Sequence, residues 1–564
     1  MHRITGLAFF VAVLATGSSA AARLSPPCWL VALPAADGGV HLSWRMNRAA
    51  ESVTSYTIIR DRQEIATTKL TNYVDRPPPG EHEYTVRARS RERQGRACRP
   101  VSITAGAEAT NVYRVIPAVA AGAGERMAIP VSLGFLDRDE LVDFVCAYGR
   151  EGSAGVLRAY THAGELLWER AGGDVTGAGP GPLIWDVDRD GAGEVVCLER
   201  GTGLVVLDGR TGKVEAENAT HPVIAWHDGP ATLQVADLEG RGRSWAVVLK
   251  RGNSGELSQP LVDAAPTDPA SGEPRPQVAA FSAKLEPLWW VALNCGAAHH
   301  MRVADIDLDG RDDVVASGAV TLGPEGQELF RVDFGGSPRL VAGEGSAAPG
   351  LDGFAEADSC VVGDVAPNRP GLEIVVKGAQ EGAPMCMYGA DGEAIWYMEG
   401  VGGPGGRLIL GDLFADAPGL EVVSQGAASH WLSANGSLLT PPRGLRRFDV
   451  VDWSGLYPGL EAMTYDAARN LIEVRSPSVP TAGPLAVLTY EGRLAPATVR
   501  AADIIGDYRE EIIADWGGRV VVFTNTEADV HARPSVWQDR RLARWRYINA
   551  HSGVVVGRDS LEHE

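Results

Sequence analysis

After its first residues, the 564-residue sequence contains no apolar run of the roughly 20 residues that a membrane-spanning helix needs. This absence excludes an internal transmembrane segment. Positive charge is also scarce, because 52 Lys and Arg stand against 72 Asp and Glu, for a net charge of −20. Nucleic acid is therefore excluded as a partner, since phosphate binding needs clustered Lys and Arg. A polyanionic substrate stays compatible with this balance, because bound cations reverse the sign of the charge locally.

Cysteine is scarce too, and its count of seven is odd, so at least one thiol is free if all pairing is intramolecular. The sequence has neither a CxxC motif nor a His-rich zinc spacing. Cys28 and Cys98 bracket the first predicted domain, and an exported compartment permits a disulfide between them. The other five lie in apolar runs, where we expect buried single thiols: Cys146, Cys197, Cys295, Cys360 and Cys386.

The first 22 residues have the layout of a cleaved signal peptide. A basic Arg3 precedes the apolar run 7–15, and small residues follow at 18–20. The run is too short to cross a bilayer, although a retained membrane anchor is the alternative. The sequence therefore predicts a secreted protein, extracellular or periplasmic, with no further transmembrane segment.

Residues 23–108 predict a small β-sandwich. The segments VHLSWRM and SYTIIRD alternate apolar and polar residues, and Pro and Gly punctuate the chain at short intervals. The size and the number of strands resemble a fibronectin type III module. We assign this module no chemistry of its own.

Residues 109–564 repeat one phrase, which consists of an apolar strand, an acidic Gly-containing loop and an acidic residue that opens a second strand. The eight copies begin at Phe135, Asp186, Asp237, Asp305, Asp364, Asp412, Asp452 and Asp503. Units of this size stack on their neighbours to bury both faces, and closing the stack into a ring protects the strand edges. Helical folds fit poorly, because 67 Gly and 35 Pro interrupt any long 3.6-residue period. The prediction is an all-β, eight-bladed β-propeller, or a seven-bladed one if the weak first copy is not a blade.

Two of the acidic loops have the spacing of calcium sites. Their carboxylates alternate around a tight glycine turn, at Gly191 and at Gly310, and Ca²⁺ takes six to eight oxygen ligands. The predicted ligands are Asp186, Asp188, Asp190 and Glu194 in one loop, and Asp305, Asp307, Asp309 and Asp313 in the other. In the other six loops the pattern is eroded, and for all eight the alternative is that they only brace the blades.

Several segments resemble the rhamnogalacturonan lyases of polysaccharide lyase family eleven. They are GGVHLSWRM through TNYVD, HHMRVADIDLDGRDDVV, VVGDVAPNRPGLEIV, GDYREEIIA and the closing FTNTEADVHARPSVWQDRRLARW. The resemblance covers nearly the whole mature chain. It implies a secreted monomer with a fibronectin-like domain before an eight-bladed, calcium-rich propeller, which cleaves the pectin backbone by β-elimination at galacturonate.

The resemblance also implies a set of catalytic candidates. By matched position or residue type they are His299, Asp358, Lys250, Arg251, Arg509 and Glu510. Each has a simpler alternative. A His beside a metal loop often only packs or orients a ligand. Arg509 and Glu510 could pair across blades, and Lys250 and Arg251 could be solvated surface.

The chain departs from the family pattern at positions that would face the substrate. GAGPGPLIW stands where a His-Tyr pair is expected, NSGE where an aromatic pair is expected, and Val361 where a His is expected. Two hypotheses follow. The first is a calcium-dependent rhamnogalacturonan lyase-like enzyme with a diverged substrate face. The second is a non-catalytic propeller of the FG-GAP type that binds glycan or protein at the cell surface. A hydrolase is a distant third, because the loops already account for most paired carboxylates.

Overall fold

The structure is a computed structural model that describes residues 28–555 with gaps. The gaps are 46–52, 92, 118–125, 128–130, 150–153, 175–180, 200–201, 226–230, 252–275, 294–299, 317–319, 334–338, 342–356, 379–383, 402–406, 415, 426–428, 443, 446, 456–458, 480–482, 528–534 and 549–553. The predicted signal peptide lies outside the described residues. Within them the fold is all-β, and no helix has the length and apolar character needed to cross a membrane.

The first part of the chain forms two antiparallel sheets around one core. The first sheet contains β1 (Cys28–Pro34), β2 (Val40–Arg45) and β5 (Asn72–Asp75). The second contains β3 (Ser55–Arg60), β4 (Gln63–Thr68), β6 (Gly80–Arg89), β7 (Gln94–Ala97) and β8 (Val101–Ala105). Trp44, Tyr56 and Tyr84 are buried together in this core. Buried and partly exposed residues alternate in the second half of β6, whereas all six residues of β2 are buried.

The suggested disulfide between Cys28 and Cys98 is wrong. Cys98 is a buried free thiol, and its Sγ accepts a hydrogen bond from the backbone N–H of Val86 at 3.1 Å. Burial raises the pKa of this thiol, so the sulfur is held as a small apolar group of the core. Cys146, Cys197, Cys360 and Cys386 are buried free thiols, as predicted. Cys295 lies outside the described residues.

The remaining strands form eight groups of four within the described residues, which are called units one to eight. Units one and two share a sheet: β10 (Arg126–Met127), β11 (Ser132–Gly134), β12 (Asp143–Gly149), β13 (Ala154–Tyr160), β14 (Leu166–Asp174), β15 (Leu183–Trp185), β16 (Glu194–Glu199), β17 (Gly203–Leu207) and β18 (Val214–Asn218). Unit one is β11–β14 and unit two is β15–β18. A short helix, α1 (Pro222–Ala225), follows.

Units three to five are separate antiparallel sheets. Unit three is β19 (Ala231–Ala236), β20 (Ala246–Arg251), β21 (Gln277–Phe281) and β22 (Pro287–Ala292). Unit four is β23 (Met301–Ala304), β24 (Asp313–Ala316), β25 (Val320–Leu322) and β26 (Glu328–Asp333), with β27 (Arg339–Val341) added. Unit five is β28 (Ala357–Gly363), β29 (Glu373–Gly378), β30 (Met385–Tyr388) and β31 (Ala394–Met398).

Units six to eight complete the series. Unit six is β32 (Leu408–Gly411), β33 (Glu421–Ser424), β34 (His430–Leu432) and β35 (Leu438–Leu439). Unit seven is β36 (Asp449–Val451), β37 (Glu461–Asp466), β38 (Leu471–Arg475) and β39 (Ala486–Leu488). Unit eight is β40 (Leu494–Ala502), β41 (Glu511–Trp516) and β42 (Arg519–Phe523), and its fourth strand is β9 (Val112–Ile116). The strand that follows the first domain thus pairs with the last unit.

The first strands of successive units contact one another in chain order, from β11 to β15, then β19, β23, β28, β32, β36 and β40. Arg500 in β40 then donates from Nη1 to the carbonyl oxygen of Val131, just before β11, at 2.7 Å. Unit eight therefore lies beside unit one. A closing segment follows, with a 3₁₀ turn (Val536–Gln538), α2 (Arg540–Ala543) and a π-helical turn (Arg544–Ile548). A final short strand, β43 (Val554–Val555), pairs in parallel with β28.

The acidic residue that opens the second strand of most units fixes the preceding loop. In unit six, Glu421 accepts hydrogen bonds from the backbone N–H groups of Leu413 at 2.6 Å and Phe414 at 3.2 Å. The same arrangement recurs at Asp143, Glu194, Asp313, Glu373, Glu461 and Glu511. A buried carboxylate that accepts such bonds satisfies donors that the turn would otherwise leave unpaired. This geometry explains the acidic residue in the repeated phrase without any metal.

A tryptophan in the fourth strand locks some units onto the next. The indole N–H of Trp396 in β31 donates to the carbonyl oxygen of Ala434 in unit six at 3.1 Å. Its ring lies against Gly436, where a Cβ would come within 2.8 Å of the ring. Trp168 and Trp289 make the equivalent bonds to Gly209 and Pro324.

Each unit has two ends, which are named by their connections. The end that carries the acidic loops between the first and second strands is called the loop end. The opposite end carries the connections from one unit to the next and is called the linker end. Because the strands are antiparallel, Ala231 at the start of β19 lies opposite Arg251 at the end of β20, and both belong to the linker end.

Candidate functional site

The predicted catalytic residues that the structure describes are divided between the linker end and the loop end of the units. Lys250 and Arg251 end β20, and Asp358 is the second residue of β28, so all three belong to the linker end. Arg509 and Glu510 lie in the connection between β40 and β41, at the loop end. The six-residue strand β19 measures about 20 Å from one end to the other. These two groups therefore do not form one site, and His299 lies outside the described residues.

Buried cations collect at the linker end of units three to five. Lys250 is only 1% exposed, and Arg251, Arg302 and Lys377 are buried as well. The alternative that Lys250 and Arg251 are solvated surface is therefore wrong. Lys377 lies opposite Ser359 in β28, in the same relative place in unit five that Lys250 has in unit three.

Arg302 lies at the centre of this group. Its Nε donates to the carbonyl oxygen of Cys360 at 2.9 Å, and its Nη1 donates to that of Met301 at 2.8 Å. Its Nη2 lies 3.5 Å from Nδ1 of His300. Burial lowers the pKa of Arg302, and Arg407 nearby lowers it further. The guanidinium is thus held by neutral acceptors among other cations.

The electrostatic effect of the group is visible at Cys360. Burial raises the pKa of its thiol, while the positive charges of Arg302 and Lys250 lower it. The positive charges of Arg302 and Lys250 therefore both reach the Cys360 thiol in β28. An anionic ligand at this point would interact favourably with both positive charges. We call Lys250, Arg251, Arg302 and Lys377 the cationic cluster.

Sequence reasoning missed Arg302 and Lys377. Both lie in apolar strands, MRVA and EIVVKG, where the repeated pattern drew attention to the acidic loops instead. The spacing of two lysines within their strands could have indicated this group. Lys377 follows Glu373 by four residues, and Lys250 follows Ala246, the equivalent first residue of β20, by four.

Arg509 is a buried contact between the two parts of the chain. Its Nη2 lies 3.2 Å from Nε2 of His41 in β2 and donates to Asp507 at 3.2 Å. Ser43 donates to the same carboxylate, and Thr71 donates to the carbonyl oxygen of Asp507 at 3.2 Å. Burial, followed by the charge of Arg509, holds the pKa of His41 well below its usual range. The first domain is thus packed on the loop end of unit eight.

Glu510 has an equally structural set of partners. It accepts hydrogen bonds from the backbone N–H of Asp452 in unit seven at 2.8 Å and from the hydroxyl of Tyr547 at 3.1 Å. Arg546 forms an ion pair with it at 2.7 Å. Glu510 thus contacts unit seven and the closing segment, as the alternative of pairing across units expects, whereas Arg509 contacts the first domain instead.

Three acidic clusters at the loop end have ligand oxygens that lie within 4.8 Å of one another. They are Asp186, Asp188 and Glu194; Asp305, Asp307 and Asp309; and Asp137, Asp139 and Asp143. The third was expected to be an eroded loop. Among the predicted ligands, Asp190 forms an ion pair with Arg138 at 2.9 Å, and Asp313 accepts the N–H of Ile306 at 3.2 Å. Neither Asp190 nor Asp313 is among the residues of the three clusters.

The chemistry of these clusters suits a hard cation. Burial, followed by the charge of Asp188, raises the pKa of Glu194 to about 8. Burial, and then the charge of Asp312, raises the pKa of Asp305 to about 7. The Oδ1 atom of Asp305 is buried and has no hydrogen-bond donor among the described residues. A bound cation would supply the missing partner and restore the ionised forms.

A cavity of about 320 Å³ opens at the loop end between units one and two and the closing segment. Phe135, Trp185 and Trp537 form its aromatic wall, and Asp137 and Asp186 line its acidic side. The cavity is thus on the opposite end from the cationic cluster.

Comparison with known proteins gives two family matches in the order expected from the domains. Residues 29–104 match the family described as "Rhamnogalacturonan I lyases beta-sheet domain". Residues 291–541 match "Rhamnogalacturonan lyase family 11, C-terminal domain". Together the matched residues are more than half of the chain.

A curated relative is the rhamnogalacturonan endolyase YesW of Bacillus subtilis, with 23% identity over 414 residues. The match spans 60% of this chain and 58% of the relative. A crystal structure of rhamnogalacturonan lyase YesW has a TM-score of 0.70 and 22% identity, and the match covers 94% of this chain and 96% of that one. A family 11 rhamnogalacturonan lyase from Bacillus licheniformis has a TM-score of 0.71 at 22% identity, with the same coverage of each chain. The fold is therefore shared along nearly the whole length, and the chain belongs to the rhamnogalacturonan lyases of family 11.

Proposed function

We propose that the protein is a secreted, calcium-dependent rhamnogalacturonan lyase that cleaves the pectin backbone by β-elimination. The cationic cluster carries this proposal. In a chain of net charge −20, four basic side chains are buried at one end of three adjacent units. Family membership supports the reaction class, and the substrate class follows from the charge, since a uronate carboxylate is the anion that such a cluster would bind.

The β-elimination removes one proton, breaks one bond and returns one proton. A base takes the C5 proton of a galacturonate residue, the C4–O bond to the next sugar breaks, and an unsaturated uronate remains. An acid donates a proton to the departing oxygen. Arg302 and Lys377 would hold the uronate carboxylate, which stabilises the negative charge that develops as the C5 proton leaves.

Lys250 is the described residue best placed to exchange a proton at this site. It is buried in the cationic cluster, close enough to β28 for its charge to lower the pKa of the Cys360 thiol. Asp358, at the same end, stays a candidate for the second proton transfer, and so does His299, which lies outside the described residues. Arg251, which points to the opposite face of β20 from Lys250, would contact a neighbouring part of the substrate.

The proposal also includes the domain architecture and the positions of the calcium ions. We infer that units one to eight are the blades of one eight-bladed propeller at 109–564, preceded by a fibronectin type III-like domain at 23–108. The support is the ordered contact of first strands and the return from Arg500 to Val131. Calcium ions would occupy the three acidic clusters and brace the loop end, which lies away from the cationic cluster.

Ultraviolet absorbance tests this function, because β-elimination creates a conjugated unsaturated uronate. Purified mature protein is mixed with rhamnogalacturonan in calcium, and then in a chelator. The proposal predicts a calcium-dependent rise in absorbance and no rise with a neutral glucan. A flat trace with protein of native circular dichroism would reject the lyase activity and leave a propeller that only binds glycans.

A further inference from the structure

Trp290 stands out among the fourth strands of the units. It follows Trp289, which locks unit three onto unit four, and the residues after the equivalent locking tryptophans are Glu169 and Tyr397. The side chain of Trp290 is 41% exposed. Since side chains alternate along a strand, Trp290 projects from the face of unit three opposite to Trp289.

The exposed ring is nevertheless held in one orientation. Its Nε1 donates to Oε1 of Gln277 at 2.9 Å. The ring of His221 packs against it at right angles, with 5.4 Å between the ring centroids. Single exposed apolar side chains are common and need no explanation. An exposed indole that is fixed by a buried glutamine and by a second ring is a different case, because its position is set in advance of any ligand.

The strand register connects Trp290 with the cationic cluster. Arg251 lies opposite Gln277, and Gln277 lies opposite Ala292. Directly opposite residues in antiparallel strands share one face of the sheet, and so do residues two apart in a strand. Arg251, Gln277 and Trp290 therefore lie on the same face of unit three. Trp290 is two strands away from Arg251 and two residues further along the sheet, so the two backbone positions are about 12 Å apart.

We propose that Trp290 is a sugar-stacking platform, an outer subsite for the substrate chain that runs across unit three from the cationic cluster. This inference rests on the proposed function for the identity of the chain. The indole presents a flat apolar surface to the C–H face of a sugar ring, and the amide of Gln277 sets the angle of that surface. The ligand is a backbone sugar beyond the residue whose carboxylate reaches the cluster.

Trp290→Ala and two matched variants test the platform. Leu288→Ala removes an apolar side chain that is 54% exposed, two residues earlier in β22. Trp290→Phe retains an aromatic surface. Binding of rhamnogalacturonan and of a short oligosaccharide from its backbone is measured by calorimetry, with catalysis measured separately. Since an aromatic contact is worth about 0.5–1.5 kcal/mol, Trp290→Ala should weaken polymer binding roughly 2- to 10-fold.

The pattern of results separates a subsite from a general loss of stability. Trp290→Ala should raise KM for the polymer, leave kcat at saturation unchanged and leave binding of the short oligosaccharide unchanged. Trp290→Phe should recover most of the affinity, and Leu288→Ala should resemble the unmodified protein. Equal polymer affinity in Trp290→Ala and the unmodified protein would overturn the platform. If the unmodified protein binds the polymer without cleaving it, the lyase function fails while the binding comparison still decides the role of Trp290.

Discussion

Arg302 in unit four donates a hydrogen bond from Nε to the carbonyl oxygen of Cys360 in unit five, with 2.9 Å between the two atoms. The bond joins the first strands of two neighbouring units at the linker end. Arg302 belongs to unit four, and the other buried cations of the cluster belong to the neighbouring units, Lys250 to unit three and Lys377 to unit five. The positions of three cations thus depend on packing between units rather than on one loop.

Replacing Arg302 should lower the affinity for anionic substrate. Arg302→Met removes the charge while keeping an apolar stem of similar length, and we expect KM for rhamnogalacturonan to rise about tenfold or more, since a charged hydrogen bond is worth about 1.5–3 kcal/mol. Arg302→Lys should recover part of the affinity. Steady-state kinetics gives both values, and thermal unfolding shows whether each variant is folded. Unchanged KM in a folded Arg302→Met would place the substrate elsewhere.

Two aspartates of one loop should differ in their effect on cation binding. Asp188 belongs to an acidic cluster, whereas Asp190 is turned to Arg138. Asp188→Asn should abolish most of the rise in melting temperature that calcium produces at this loop, and Asp190→Asn should retain it. Calorimetric calcium titration and thermal unfolding measure the difference. Equal losses in both variants would mean that Asp190 turns inward when the ion binds.

The lock between units five and six predicts unequal costs for two glycine substitutions. Gly436 and Gly444 both have positive φ, at 81° and 88°, but only Gly436 lies against a ring. Gly444→Ala should cost about 1 kcal/mol for the left-handed backbone alone. Gly436→Ala should cost about 1–3 kcal/mol more, because its Cβ would meet Trp396. Denaturant unfolding compares the two, and equal costs would show that the ring moves aside freely.

The buried carboxylate of Glu421 should make stability depend on pH. Burial, with the nearby charge of Asp412, raises the pKa of Glu421 to about 7. A pKa that is higher in the folded chain means a stabilising contribution that is complete below the ordinary glutamate pKa of about 4.3 and is lost as the pH rises through about 7.

Glu421→Gln should therefore flatten the fall in melting temperature between pH 5 and pH 8. Glu393→Gln changes an exposed carboxylate in unit five and is the control. Melting temperatures across this range provide the measurement. An identical pH profile in Glu421→Gln and the unmodified protein would show that this carboxylate stays ionised in the folded chain.

Much of the fold followed from the repeated phrase, because the acidic residue that opens each second strand is local to the loop it fixes. Glu461, for example, accepts the N–H of Trp453 at 2.9 Å, only eight residues away. Spacing along the sequence is enough to reveal such a contact.

The site was harder to predict, because its contacts join distant parts of the chain. Arg509 meets His41 across 468 positions, so the sequence offered no sign that the first domain buries it. Asp190 fits the calcium spacing, yet Arg138 from the neighbouring unit turns it away. Lys377 and Arg302 interrupt apolar strands, and only the order of the units shows that both lie at the linker end of adjacent units.

The most direct test of the central claim is the rate of unsaturated-uronate formation by Lys250→Met compared with Lys213→Met. Lys250 is buried in the cationic cluster, whereas Lys213 is exposed in a hairpin turn of unit two. If the cluster is the catalytic site, Lys250→Met should lose at least a hundredfold in kcat/KM, within the range attributed to a positioned proton-transfer group. Lys213→Met should keep the full rate. Equal rates in both variants, with both folded, would contradict the assignment of the active site to the linker end.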